Sequence, residues 1–223
     1  MATHRILLKD IINRTLKCVG DYFGSGYIAG RTWTRAQVII AINQALLEWS
    51  RKTGFLRKVD TVSLTDGTKT YDWPDDLIIP VRIGFYDDNA CTWVGRPTSI
   101  TDQDLAYLTI TGEAFPLYYF LEHLAYSKFG FQPTVGESTT AYINYIRAPT
   151  YLDNEDNYPE DAIPTWFHKD IKWGAAIKLL EELKENDGRR AKLPYCQMKW
   201  KKKLDFMKSL KAFHGHDHGV FPV

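Results

Sequence analysis

Residues 65–76 read TDGTKTYDWPDD, and the way this stretch bends decides how the segments on either side of it are joined. Asp66-Gly67 is a turn signal, because glycine takes positive φ without the steric cost of a Cβ. Val59, Thr61 and Ser63 precede it and Lys69, Tyr71 and Trp73 follow it at a period of two, so the pattern predicts two paired strands in a hairpin. Pro74 has no N–H to donate and biases Trp73 towards an extended backbone, which ends the second strand. Asp75 and Asp76 then fall where the chain turns. Their expected task is to accept backbone hydrogen bonds or to cap the chain from Leu77 onward. The alternative is a catalytic pair, but adjacent side chains seldom aim at one reacting atom and no acid partner is evident.

Upstream, the period lengthens. Ile6, Leu7, Ile11, Ile12, Leu16 and Val19 recur at steps of three and four and predict a helix ending at Gly20. Residues 21–33, DYFGSGYIAGRTW, read as a glycine-rich loop anchored by Tyr22, Phe23, Tyr27 and Trp33. Thr34 and Gln37 form a capping box for a second helix, whose stripe of Val38, Ile42, Ala45, Leu46 and Trp49 runs to Gly54.

Downstream, VRIGFY after Pro80 is predicted as a strand, with CTWVGR as its antiparallel neighbour across Asp87-Asp88-Asn89. SITDQDLAYLT predicts a short helix capped by Ser99 or Thr101, and PLYYFLEHLAYSKFGFQP and TTAYINYIRAP predict further strands. The last of these has Tyr142, Asn144 and Ile146 on one face and Ile143, Tyr145 and Arg147 on the other. Bulk on both faces predicts packing on two sides, as in a sheet that also meets a neighbouring subunit. The acidic residues 151–164, YLDNEDNYPEDAIP, read as a linker back to helix; they lack the glycine and closing glutamate of a calcium-binding EF-hand loop.

From Pro164, WFHKDIKWGAAIKLLEELKEN predicts one helix capped by Thr165, and the small residues Gly174, Ala175 and Ala176 invite close approach of another helix. Gly188 separates it from a final helix that starts near Pro194, and the two are expected to form a hairpin. Met198, Leu204, Met207 and Leu210 are the expected apolar side of that last helix. Lys199, Lys201, Lys202, Lys203, Lys208 and Lys211 make it strongly basic, either as a solvated face or as a surface for nucleic acid or an acidic partner.

Composition narrows the function classes. With 28 Lys and Arg against 27 Asp and Glu, the chain carries a formal charge of +1, so it has no strong overall positive field for gripping nucleic acid. Cys18, Cys91 and Cys196 are well separated in sequence and predict reduced thiols, not a disulfide framework or a zinc knuckle. Residues 1–17, MATHRILLKDIINRTLK, interrupt their apolar positions with charge, which predicts neither a signal peptide nor a membrane span. There is no phosphate-binding loop, dinucleotide fingerprint or nucleophile elbow, and no repeat of solenoid length. The tail HGHDHG holds His214, His216, Asp217 and His218, but alternate residues on an extended backbone point apart, so no metal centre is expected. His123 and His168 stand alone. Glu113, Glu122 and Glu137 are the residues from which a glycosidase pair would have to come. The expectation is therefore no catalytic residue, no cofactor and no metal.

The order of elements carries more information than any single motif. The helix pair with QVIIAINQALLEWSRKTG, the turn leading into DGTKTYDWPDDLI, the late strand INYIRAPTYL and the return helix AIPTWFHKDIKWGAAIKLLEEL together resemble the head-to-tail adaptor proteins of tailed bacteriophages. Two short motifs carry the resemblance: G-x-x-x-Y-x-x-P-x-D, here Gly67, Tyr71, Pro74 and Asp76, and Y-x-x-x-P, here Tyr145 and Pro149. It implies an α+β fold in which N- and C-terminal helices form a bundle around an inserted antiparallel β-sheet domain. The corresponding divisions are 1–54 helical, 55–160 sheet, 161–213 a helical hairpin completing the bundle, and 214–223 an extended tail.

The resemblance further implies a structural virion protein, assembled in the host cytoplasm as a homo-oligomeric ring, usually of twelve copies. Such a ring sits beneath the portal protein, joins a downstream tail or nozzle protein, and passes genomic DNA through its lumen without sequence-specific binding; no membrane is involved. A heterologous interface between copies is required for closure, and near-neutral net charge suits a lumen through which DNA slides. Tyr71 and Trp73 would pack, Pro74 would end pairing and Asp76 would hold the corner between sheet and helices, while the lysines from Lys199 to Lys211 are candidates to face portal or DNA. The alternatives are a tail-associated peptidoglycan hydrolase and a DNA-binding module built on the basic helix.

Overall fold

A computed structural model describes residues 6–21, 32–68, 70–87, 92–94, 96–97, 118–121, 128–132, 139–160 and 162–214. The chain divides into a helical unit, Met1–Leu56 with Ala148–Val223, and a sheet unit, Arg57–Arg147. The fold is α+β.

In the helical unit, α1 (Leu8–Val19) buries Ile11, Ile12, Leu16 and Val19 of the expected stripe together with Leu8, whereas Ile6 and Leu7 precede the helix and are half-buried. No side chain caps its start. The acidic segment supplies that function instead: the Leu8 N–H donates to the Asn157 carbonyl at 2.8 Å and the Lys9 N–H to the Glu155 carbonyl at 3.2 Å, satisfying two of the donors a helix start leaves open. The charges reinforce the joint, since Lys9 pairs with Asp156 and Arg35 with Glu155. Helix α2 (Arg35–Thr53) begins with the predicted capping box, the Gln37 N–H donating to Thr34 Oγ1 while the Gln37 side chain accepts from the Thr34 N–H. It stops at Gly54.

The helix expected from Pro164 is two helices, α3 (Thr165–His168) and α4 (Ile171–Glu181). Pro164 occupies the cap position and Thr165 caps nothing. A local hydrophobic pattern does not register the break, which one polar contact to the preceding segment and one tertiary ion pair hold. His168 Nε2 lies 2.9 Å from the Ile163 carbonyl, and the buried Asp170 at the turn pairs with Lys203 at 3.0 Å. Helix α4 is apolar almost all round, as a central helix must be, and buries Ile171, Gly174, Ala175, Ala176, Ile177, Leu179 and Leu180. At Gly174 an added Cβ would lie 2.8 Å from Ala45 Cβ of α2 and 2.9 Å from the Trp200 ring, so the close approach read from the small residues occurs on two sides.

A 3₁₀ turn (Gly188–Lys192) leads into α5 (Leu193–His214), which packs back on α4 as the expected hairpin. Its buried side is Cys196, Trp200, Leu204 and Met207, spaced four, four and three. Met198 was expected there and is instead exposed, because Cys196 and Trp200 set the stripe and a residue two positions from either lies on the far side of the helix.

The sheet unit contains β1 (Arg57–Leu64), β2 (Thr70–Asp72), β3 (Leu77–Asp87), β4 (Thr92–Val94), β5 (Arg96–Pro97), β6 (Tyr118–Leu121), β7 (Lys128–Gln132) and β8 (Thr139–Arg147). They form two four-stranded sheets, in the orders β1-β8-β3-β4 and β2-β7-β6-β5. Pairing is antiparallel except for the short β5–β6 contact. The predicted β3–β4 partnership is present, Tyr86 opposite Trp93.

The predicted hairpin across Asp66-Gly67 is not formed. The turn exists, with Gly67 at φ 71° and the Thr68 N–H donating to the Thr65 carbonyl, but β1 pairs with β8 and β2 with β7. All eight residues of β1 find partners, from Arg57 opposite Ile146 to Leu64 opposite Thr139, whereas β2 has only three residues to offer. The longer ladder wins, and the turn carries the chain from one sheet to the other. Strand β3 also begins before Pro80, not after it. Register shifts flank Pro80, as a residue without an N–H requires inside a ladder. Leu64, Tyr71, Ile83, Phe129, Phe131, Ala141, Ile143 and Tyr145 fill one core with residues of both sheets.

Candidate functional site

The residues of the two short motifs converge in the sheet unit. Strand β2 sets Tyr71 opposite Phe129, and their rings lie 5.9 Å apart with Phe131 at 6.2 Å. The Tyr71 hydroxyl reaches back over the turn at Gly67. It accepts from the Thr65 N–H at 3.2 Å, and the Thr65 and Thr68 carbonyls both stand at 3.0 Å to receive its one proton. Burial, only partly offset by these bonds, pushes its pKa up. Trp73 stacks on Phe129 at 4.6 Å. Pro74 then accepts from the Leu77 N–H, which turns the chain into β3.

Asp76 has a different role from the one expected. Its Oδ1 accepts from the Tyr145 hydroxyl at 2.6 Å, and Lys58 Nζ stands 3.5 Å from its Oδ2. Asp75 is exposed. Tyr145 belongs to β8, 69 positions along the chain, so the aspartate of one motif and the tyrosine of the other form a single buried-to-surface joint. Lys58 completes it, 3.0 Å from Asp60 and over the Tyr145 ring. Asp60 is held below the usual carboxylate range, chiefly by its bond to Lys58. Burial first, and the bond to Asp76 next, push Tyr145 up to about 12. Lys58 and Asp60 were not singled out in the sequence; their signal is the inward side of β1, which only the pairing with β8 reveals. Pro149 follows β8, half-buried, at the start of the return segment. Each charged group of the joint is engaged by another member of it.

The helical unit presents a surface of another kind. On α5, Lys201, Lys202 and Lys208 are exposed, Lys199 lies over the Tyr195 ring at 5.3 Å, and Lys203 is committed to Asp170. The six lysines are therefore not equivalent; Lys211 falls in the last turn of the helix. Tyr195, Met198 and Phe206 are each about half exposed on one side of the same helix, and Phe206 continues into exposed Trp166 at 5.7 Å. This mixed aromatic and basic face was missed because the lysines were read as a charge run and Met198 as core. Helix α2 leaves a second apolar patch uncovered, Ile40 and Leu47, two turns apart.

His168 is buried against Ile163, which removes it from consideration as a surface base. Glu113, Glu122, Glu137, His123, Cys91, the proposed helix at 99–109, the loop anchors Tyr22, Phe23 and Tyr27, and His216, Asp217 and His218 lie outside the described residues. Among the described residues no cluster of three or more His, Cys, Asp or Glu is arranged to hold a metal ion, and no helix is long and apolar enough to cross a membrane.

A protein-family model described as SU10 adaptor protein matches residues 7–205, which takes in most of both helical segments and the whole sheet unit. Comparison with curated proteins found no match.

Proposed function

Because the chain belongs to the SU10 adaptor protein family, a family of phage head-to-tail adaptors, we propose that it assembles into a ring beneath the portal, dodecameric on the pattern of such adaptors, joins the capsid vertex to the tail, and passes DNA through its lumen. Its role is architectural, not catalytic, and assembly takes place in the host cytoplasm. The helical unit meets the portal and neighbouring copies, and the sheet unit faces the downstream tail or nozzle protein.

The observation that carries this reading is the uncovered aromatic and basic face of α5, formed by Tyr195, Met198 and Phe206 among Lys199, Lys201, Lys202 and Lys208. Half-exposed aromatic residues beside cations are the composition of a contact surface. A ring of identical copies also needs two different patches, one meeting the other on the next copy, and Ile40 with Leu47 on α2 provides a second. Gly67, Tyr71, Trp73, Pro74, Asp76, Tyr145 and Pro149 hold the architecture that presents these surfaces; Lys199, Lys201, Lys202, Lys203, Lys208 and Lys211 lie on the helix assigned to portal or DNA.

Native mass spectrometry of the purified chain, alone and mixed with the portal of the same virus, tests the reading. A stoichiometric ring on the portal is expected, and a monomer indifferent to the portal overturns it. Exposed Lys201, Lys202 and Lys208 also favour a second reading, a DNA-binding module, which predicts affinity falling steeply with salt.

A further inference from the structure

We propose that Cys18 and Cys196 form a peroxide-sensitive dithiol site whose disulfide fastens the end of α1 to the start of α5. The two residues are 178 positions apart in the chain, yet their sulfurs stand 3.8 Å from each other. Both are free thiols, Cys18 partly exposed and Cys196 buried. A disulfide needs a sulfur separation of about 2.05 Å, so roughly 1.8 Å has to be closed, within reach of side-chain rotation and a small helix adjustment. The flanking residues fix both helix ends: Leu16 and Val19 of α1 and Trp200 of α5 are all core residues.

The surroundings divide the labour between the sulfurs. The bond from Cys196, helped by nearby Lys172 and Lys192, outweighs burial and lowers the Cys18 pKa. The same bond, together with burial, raises that of Cys196. Either sulfur can donate to the other across this contact, and the shifts make Cys18 the more readily ionised of the two. Lys192 Nζ lies 2.6 Å from where a Cβ on Gly20, two residues after Cys18, would sit. A partly exposed, more acidic thiol 3.8 Å from a buried second thiol is the arrangement in which one sulfur is oxidised and the other resolves it.

The chemistry balances with hydrogen peroxide as oxidant. The Cys18 thiolate attacks a peroxide oxygen, the O–O bond breaks, hydroxide leaves and Cys18 becomes the sulfenic acid. Cys196 then loses its proton and attacks the Cys18 sulfur; the S–O bond breaks, water leaves and the S–S bond forms. The hydroxide takes up the proton that Cys18 had released, so two thiols are oxidised to one disulfide and one hydrogen peroxide is reduced to two waters. A reducing cytoplasm keeps the pair as thiols, and an oxidising medium closes it. Closure joins residues far apart in the chain, which restricts the unfolded state strongly.

This inference does not depend on assembly and is tested on the full chain alone, with Cys91→Ser removing the third thiol. Hydrogen peroxide should abolish both remaining thiols and yield one cross-linked peptide containing Cys18 and Cys196. The thermal midpoint should rise by roughly 5–10 °C, with dithiothreitol reversing both changes. Cys18→Ala, at the more exposed position, should give no cross-link and no rise. If peroxide leaves both thiols free, or carries Cys18 on to the sulfinic acid with Cys196 intact, the proposal fails.

Discussion

Gly174→Ala sets two effects of opposite sign against each other at the centre of the helical unit. In an open helix interior, alanine is favoured over glycine by about 1 kcal/mol. Here the added Cβ would stand 2.8 Å from Ala45 Cβ and 2.9 Å from Cε2 and Cζ2 of Trp200. Carbon atoms pack best at about 3.5–4.0 Å, so the overlap is roughly 0.7 Å on each of two sides. Neither neighbour is a flexible chain end. Ala45 Cβ is fixed to the α2 backbone, and the Trp200 indole lies 5.8 Å from the Phe167 ring with its Nε1–H directed to Glu48 at 3.4 Å. Glu48 is itself held by Lys52 and Lys178. Relief therefore requires α2 or α5 to move, and overpacking of this kind costs about 1–3 kcal/mol. With overlap on both sides the upper part of that range applies, leaving a net loss of about 1–2 kcal/mol after the propensity gain. Urea unfolding followed by far-ultraviolet circular dichroism should show a lower midpoint for Gly174→Ala. Gly188→Ala, where an added Cβ meets nothing within 4 Å, should change little. Ala45→Gly in the Gly174→Ala background should show favourable coupling, because one overlap is removed. An unchanged or raised midpoint for Gly174→Ala would refute the three-helix contact.

Tyr145→Phe removes the donor to Asp76 and should cost about 1–2 kcal/mol, reduced from a fully buried charged bond because Asp76 is partly exposed. The loss should appear as faster amide exchange in β1 and β8, and unchanged exchange there would dismiss the joint. The same residue gives a pH signature: its folded pKa, about 12, lies above the ordinary tyrosine value near 10, so its contribution is complete below about pH 10 and is lost as pH rises through 12. Tyr145→Phe should flatten stability over that window. Replacing exposed Lys201, Lys202 and Lys208 together by Glu should leave the unfolding free energy within about 0.5 kcal/mol of the parent and abolish capture by portal in sedimentation; full capture would move the contact elsewhere.

Helices α1 and α2, the capping box at Thr34, the two-stranded pairing of β3 with β4 and the return to helix after residue 160 were all legible in the sequence. Each rests on neighbours within a few turns or across one short loop: apolar spacing, a cap three residues from its partner, a turn between adjacent strands. The family resemblance rested on the same kind of information, short motifs in a given order, and the match over residues 7–205 agrees with it.

What sequence by itself determined, then, was the type and order of most of the described helices and strands, though not the break at 169–170 or the start of β3. Only the tertiary structure decided the partners that are remote in the chain. A turn at Gly67 specifies that the chain bends, but whether β2 returns along β1 depends on the competing eight-residue ladder of β8, which is remote in the chain. The bond between Tyr145 and Asp76, the meeting of Cys18 with Cys196 and the exposure of Met198 depend in the same way on which distant surfaces come together. Local backbone preferences act over a few residues, whereas burial rewards any pair that packs, however long the loop between them, because closing a longer loop adds only slowly to the entropic cost.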